Sequence, residues 1–294
     1  MSRNFRRRDF ATAAALLFLM SWISTRCAFA QTSHCEENPA HDMSPLVESC
    51  RHAAPCDKSC VRCGQTGKYV LVKDCDPNKD HAYLLMPTSQ IDGIGEEIGG
   101  IESPHVLSSQ LGDMWGDAWK ESLNSDDTPL LQHSAATTGL AVNSTCGRSY
   151  KPLHIHISCV EPEVQKCLAC NQDRIASDPA TPSLLRLNGH IYEAVRVGDI
   201  TADHNPFKVV HAIPHVANHM DLQGIAVVGS TQAGEFYILD TYCHAGDRGH
   251  AERLLNQDCA EWSSRQATEA TAPVPTGKVT CDDDCFPAPA PTAH

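Results

Sequence analysis

Two histidines separated by one apolar residue, His154 and His156, stand in an alternating run, Leu153-His154-Ile155-His156-Ile157. Side chains along a strand alternate between faces, so both imidazoles fall on one side while Leu153, Ile155 and Ile157 enter a core. Such a pair can bind a metal, serve as nucleophile and general acid or base, or lie buried as plain hydrogen-bonding residues. The turn ahead of it ranks these options. Gly147, Arg148 and Ser149 offer a close backbone approach, a cation and a hydroxyl donor, which is what a phosphate needs. Phosphoryl chemistry therefore ranks above metal binding for the stretch from Gly139 to Val160.

The elements that must position this stretch can be read on either side of it. Tyr69 to Lys73 and Ala82 to Met86 are short β-rich runs joined by a polar segment, and Pro87 ends the second. A glycine-rich loop, Gly93 to Pro104, precedes Leu107, Leu111, Met114, Trp115, Ala118 and Leu123, whose spacing predicts an amphipathic helix over 107–123. Gly139 to Asn143 and Leu153 to Cys159 read as two strands flanking the turn Ser144 to Tyr150. Pro162 suits the first turn of a helix running to Ile175. Gly224 to Gly229 and Glu235 to Tyr242 form a further hairpin, and Arg248 to Ser263 reads as a closing helix with Cys259 as a tether. The pattern predicts an α+β fold, a mainly antiparallel sheet with helices on one face, forming one unit over residues 31–265. Beyond Gln266 the chain is Ala, Pro and Thr around a CDDDC island, a composition that predicts a disordered tail over 266–294.

Residues 1–30 carry Arg3, Arg6, Arg7 and Arg8, an apolar run from Phe10 to Ser24, and the A-x-A signal Ala28-Phe29-Ala30. This predicts an export signal, with a short retained anchor as the second choice because the run falls short of the ~20 residues that span a bilayer. Without it the chain keeps 18 basic and 35 acidic residues, a charge of −17 that a phosphate backbone would repel, so nucleic acid is excluded as a partner. Fourteen of the fifteen cysteines lie beyond residue 30, an even number that predicts disulfides in an oxidising compartment. Cys56, Cys60 and Cys63 with Cys167 and Cys170 could instead supply four thiolates to a structural zinc, a reading that the compartment disfavours.

Asn143, Gly147, Ser149, His154 and His156, followed by Ile157-Ser158-Cys159, resemble the histidine-triad (HIT) motif of nucleotide hydrolases and transferases. More closely, Tyr83-Leu84-Leu85-Met86-Pro87-Thr88, Leu140-Ala141-Val142-Asn143-Ser144 and His154-Ile155-His156-Ile157-Ser158-Cys159 resemble the bacterial CDP-diacylglycerol pyrophosphatase branch. Weaker likeness continues through Gly189-His190 and Tyr192 and through Gly224 to Val228. The resemblance implies a disulfide-stapled HIT-like fold and a two-step hydrolysis. His154 would attack the cytidylate phosphorus and expel phosphatidate, and water would then open the CMP-histidine. His156 would bind phosphate oxygens, Ser149 and the Gly147 and Arg148 backbone would hold the non-bridging oxygens, Asn143 would orient the site, and Asp74 would contact the ribose. It further implies no metal or cofactor, a lipid-linked nucleotide substrate at a membrane surface, and a periplasmic protein, released or held to the inner membrane by an uncleaved N-terminal segment. No protein partner is predictable. One departure stands out: the first triad position is Pro152, which can neither donate nor ionise.

Two other readings share these residues. One is an exported HIT-like hydrolase of another nucleoside diphosphate ester. The other is a catalytically silent binding module in which His154 and His156 pack or hold a metal. Of the scattered histidines His190, His211, His215 and His219, only His190 is a site candidate, and Asn143-Ser144-Thr145 matches a glycosylation sequon whose Asn the site needs.

Overall fold

The computed structural model describes residues 47, 60–63, 68–73, 79, 81–88, 99–111, 113–123, 130–131, 134–150, 152–201, 204–259, 262 and 285–287. The N-terminal segment 1–30, the candidate ribose contact Asp74 and most of the stretch after residue 265 lie outside them. The described strands are β1 (Cys60–Cys63), β2 (Tyr69–Lys73), β3 (Tyr83–Pro87), β4 (Thr138–Val142), β5 (Ile155–Val160), β6 (Ser183–Leu187), β7 (His190–Val197), β8 (Gln223–Gly229), β9 (Phe236–His244), β10 (Asp247–Arg248) and β11 (Leu255–Asn256). Among the described residues three α-helices accompany them: α1 (Met114–Leu123), α2 (Pro162–Asn171) and α3 (Pro206–His211).

The strands form one sheet in the order β1-β2-β3-β5-β4-β8-β9-β7-β6, with β10 added to β9 and β11 to β5. Every pairing is antiparallel. The order is palindromic about the β4–β8 contact. A hairpin, a helix and a second hairpin (β2-β3, α1, β4-β5) are answered by the same sequence of elements (β6-β7, α3, β8-β9), so the second half repeats the topology of the first. The repeat does not extend to chemistry, since β9, the counterpart of β5, reads FYILDTYCH and has no His-x-His pair.

Register fixes what each face meets. Gly229 lies on the face of Leu140 and Ile157, and a Cβ there would come within 2.8 Å of the Trp119 ring, so α1 covers this face. Trp115 of α1 meets Phe207 of α3 with ring centroids 5.2 Å apart, which joins the two helices over the main core. Gly224 lies on the other face, with Ala141 and His156, and a Cβ there would come within 2.2 Å of the Gly249 carbonyl oxygen. That face is crossed by the segment after β9, here called the strap, which runs through β10 and a 3₁₀ turn at Ala251–Leu254 to β11.

The strap replaces the closing helix expected over 248–263. Gly249 at φ +61° and Cys259 at φ +55° hold left-handed conformations that interrupt a helix, and Cys159–Cys259 pins the far end. The helix expected over 107–123 begins only at Met114, where the Asp113 side chain accepts the Gly116 N–H, and 3₁₀ turns fill Pro104–Leu107 and Ser109–Leu111. Cys60–Cys63 is an edge strand. Two further disulfides join Cys146 to Cys243 and Cys167 to Cys285. Cys285 and its neighbour Phe286, which lies under the Arg174 guanidinium at 3.7 Å, are held against the folded unit although they fall in the stretch expected to be a tail. Cys167 and Cys170 are both disulfide-bonded, so neither is open to the four-thiolate zinc arrangement. Among the described residues no helix is long and apolar enough to cross a membrane.

Candidate active site

His154 and His156 share one side of β5 and its approach, their ring centroids 4.9 Å apart. His154 is 4% exposed. Its Nδ1 lies 2.9 Å from the carbonyl oxygen of Pro152. A carbonyl can only accept, so Nδ1 carries the proton and Nε2 keeps its lone pair. Burial, and next the neighbouring His156, push the His154 pKa down to about 4, against the smaller opposing effects of the Pro152 hydrogen bond and Glu252. At neutral pH the ring is uncharged and its tautomer set. Pro152, whose side chain can neither donate nor ionise, thus still supplies a backbone carbonyl to the ring of His154.

Asn143, at the end of β4, is buried, and its Oδ1 accepts the Glu252 N–H at 3.2 Å. Glu252 comes from the strap and places Oε2 3.1 Å from His156 Nε2. Burial raises the Glu252 pKa, but the His156 charge and hydrogen bonding from Asn143 outweigh it, so the carboxyl stays below its ordinary value and ionised. Neither strap residue 250 nor 252 was visible as a site residue in the sequence. Nothing local marks them, and only the crossing of the strap over β4 and β8 brings them in.

The turn 144–149 is built differently from the expectation. The Gly147 and Arg148 N–H groups, expected to hold phosphate oxygens, both donate to the Ser144 carbonyl, at 3.0 and 2.9 Å. The Arg148 guanidinium makes a bidentate pair with Glu102, its Nη2 2.6 Å from Oε1. Gly147 is needed for a steric reason: a Cβ there would meet the His250 ring at 2.2 Å and the Arg248 carbonyl oxygen at 2.7 Å. The strap clamps the turn further, as Ser144 Oγ donates to the Arg248 carbonyl at 2.6 Å, Arg248 Nε donates to the Cys146 carbonyl at 2.8 Å, and Cys146 is bridged to Cys243. Ser149 is exposed. His190 lies apart from the histidine pair, bonded through Nδ1 to Asp247 at 2.7 Å, while Arg253 grips the same carboxylate at 2.9 Å. This network fastens the strap to β7. Among the described residues no group of three or more His, Cys, Asp or Glu side chains is arranged to hold a metal.

The site thus sets a neutral, carbonyl-anchored imidazole beside an acid-paired one, on an antiparallel α+β frame. Comparison with known proteins narrows the class. The family model described as CDP-diacylglycerol pyrophosphatase matches residues 19–263, and the chain belongs to that family of hydrolases. A protein of Yersinia pestis described as CDP-diacylglycerol pyrophosphatase is 27% identical over 274 residues, covering 88% of this chain and 96% of the relative.

Proposed function

We propose that this protein hydrolyses the pyrophosphate bond of CDP-diacylglycerol, giving CMP and phosphatidate, through a nucleotidyl group carried on His154 Nε2. Family membership supports the substrate, and the buried His154 with Nδ1 committed to the Pro152 carbonyl supports the nucleophile. In the first step the Nε2 lone pair forms a bond to the cytidylate phosphorus as the P–O bond to phosphatidate breaks and its electron pair leaves with that oxygen. In the second, water adds to the same phosphorus, the P–N bond breaks, and CMP departs with one water proton passing to bulk solvent. His156, its ring centroid 4.9 Å from that of His154, faces the charge that develops on the non-bridging oxygens, and the exposed Ser149 hydroxyl supplies a further donor. Arg148, paired with Glu102, serves by holding the turn against the loop at residues 99–103. The N-terminal segment supports an exported protein working at a membrane surface, where a diacylglycerol tail is available.

The test is trapping with CDP-diacylglycerol labelled in the cytidylate phosphate, quenched in alkali so that a phosphoramidate survives. Label on the His154 peptide of the native chain, absent from His154→Ala, is the expected result. Turnover without label on His154, or label on His156, would overturn the nucleophile assignment.

A further inference from the structure

The strap brings an acid to the histidine pair that nothing in the β4–β5 motif foretells. Among the described residues, His154 faces the His156 ring at 4.9 Å and itself feels Arg148 from the turn, and Glu252 reaches His156 from the strap and itself feels His250 and Lys79. Glu252 brings its carboxylate within 3.1 Å of His156 Nε2. The His156 side chain is 12% exposed and that of Glu252 28%, so water screens the pair only in part. The carboxylate is also fixed in place. Its own backbone N–H is held by Asn143, and the next residue, Arg253, is locked by Asp247, which in turn accepts from His190 and from the Gly249 N–H.

We propose that Glu252 is a positioning residue that keeps His156 in its imidazolium form, so that the pair presents one neutral ring, His154, for attack and one cationic ring, His156, for the phosphate oxygens. The proposal rests on the reading of His154 and His156 as the phosphoryl-transfer pair and adds the group that divides their roles. Two imidazoles 4.9 Å apart repel when both are charged, so at neutral pH at most one of them takes up an added proton. A carboxylate beside one ring decides which ring takes it. It stands beside His156, whereas His154 is buried and already spends Nδ1 on a carbonyl. In the wider motif a third histidine precedes the pair. Here position 152 is proline, and the strap contributes an acid to the pair from 96 residues beyond His156.

The experiment compares the full chain with Glu252→Gln and Glu252→Asp by histidine-ring NMR titration and by the pH profile of kcat/KM for CDP-diacylglycerol. Removing the carboxylate charge lowers the proton affinity of His156, so its titration moves down by about one pH unit or more in Glu252→Gln. The alkaline limb of kcat/KM moves down with it. The deficit relative to the native chain is then about tenfold above neutrality and shrinks as the pH falls, in the range where His154, with its pKa pushed down to about 4, is still neutral. Glu252→Asp, which keeps the charge on a shorter side chain, restores most of the limb. A His156 titration that does not move, or a deficit equal at all pH values, would overturn the proposal. If the native chain does not turn over CDP-diacylglycerol, the substrate assignment fails, and the ring titration alone still decides the role of Glu252.

Discussion

Acidification should unfold this protein partly through one residue. His154 has an unfolded-state pKa near the ordinary imidazole value of about 6.5. Burial and the adjacent His156 bring it to about 4 in the native chain. At pH 7 both states leave the ring neutral and nothing is lost. As the pH falls below the unfolded value, the unfolded chain binds a proton that the native chain refuses, and stability declines until the native ring also protonates. Integrated from pH 7 to pH 4, where the native site is half titrated, the loss is about 3 kcal/mol. Urea unfolding of the native chain and of His154→Gln, each at both pH values with disulfides intact, isolates this share, because every other titrating group is common to the two proteins. The native chain should lose about 3 kcal/mol more than the variant between pH 7 and pH 4. Equal losses would show that His154 is not the buried, neutral, proton-refusing ring described here, and the assignment of its free Nε2 lone pair would fall with it.

Two further perturbations follow from how the strap meets the phosphate turn. Gly147→Ala places a Cβ 2.7 Å from the Arg248 backbone oxygen and against the His250 ring, and should lower stability by about 1–3 kcal/mol in urea unfolding, with His250→Ala recovering part of the loss. Replacing Cys146 and Cys243 together by alanine opens a link between positions 97 residues apart and should cost about 2–5 kcal/mol, with activity reduced as well because the bridge fixes the turn beside His154.

What the sequence disclosed and what it withheld divide along a physical line. Period-two alternation through Leu153 to Ile157 correctly placed both histidines on one face, and the strand boundaries around them agree within two residues, because β-branched alternation and turn residues are local signals. The hairpin β6–β7 went unread although it carries its own mark: Asn188-Gly189, both at positive φ, is the two-residue turn that a tight hairpin favours. The strap was misread as a helix because Ala251, Leu254 and Leu255 are apolar at helix-like spacing, while the left-handed Gly249 and Cys259 and the bridge to Cys159 that stop the helix show only in three dimensions. Glu252 could not have been found at all, since its contact with His156 spans 96 residues and depends on the strap crossing β4 and β8. Pro152, whose side chain can neither donate nor ionise, still offers His154 its carbonyl, a backbone contact that residue type alone does not disclose.

The central claim is tested most directly by incubating the purified chain with CDP-diacylglycerol in mixed micelles and measuring CMP and phosphatidate together, with His154→Ala, confirmed folded by its unfolding curve, as the comparison. Equal amounts of the two products are expected from the native chain and a loss of about a thousandfold or more in the variant, the scale that follows when a covalent nucleophile is removed. Undiminished release of both products by a folded His154→Ala protein, or no release by the native chain, would contradict it.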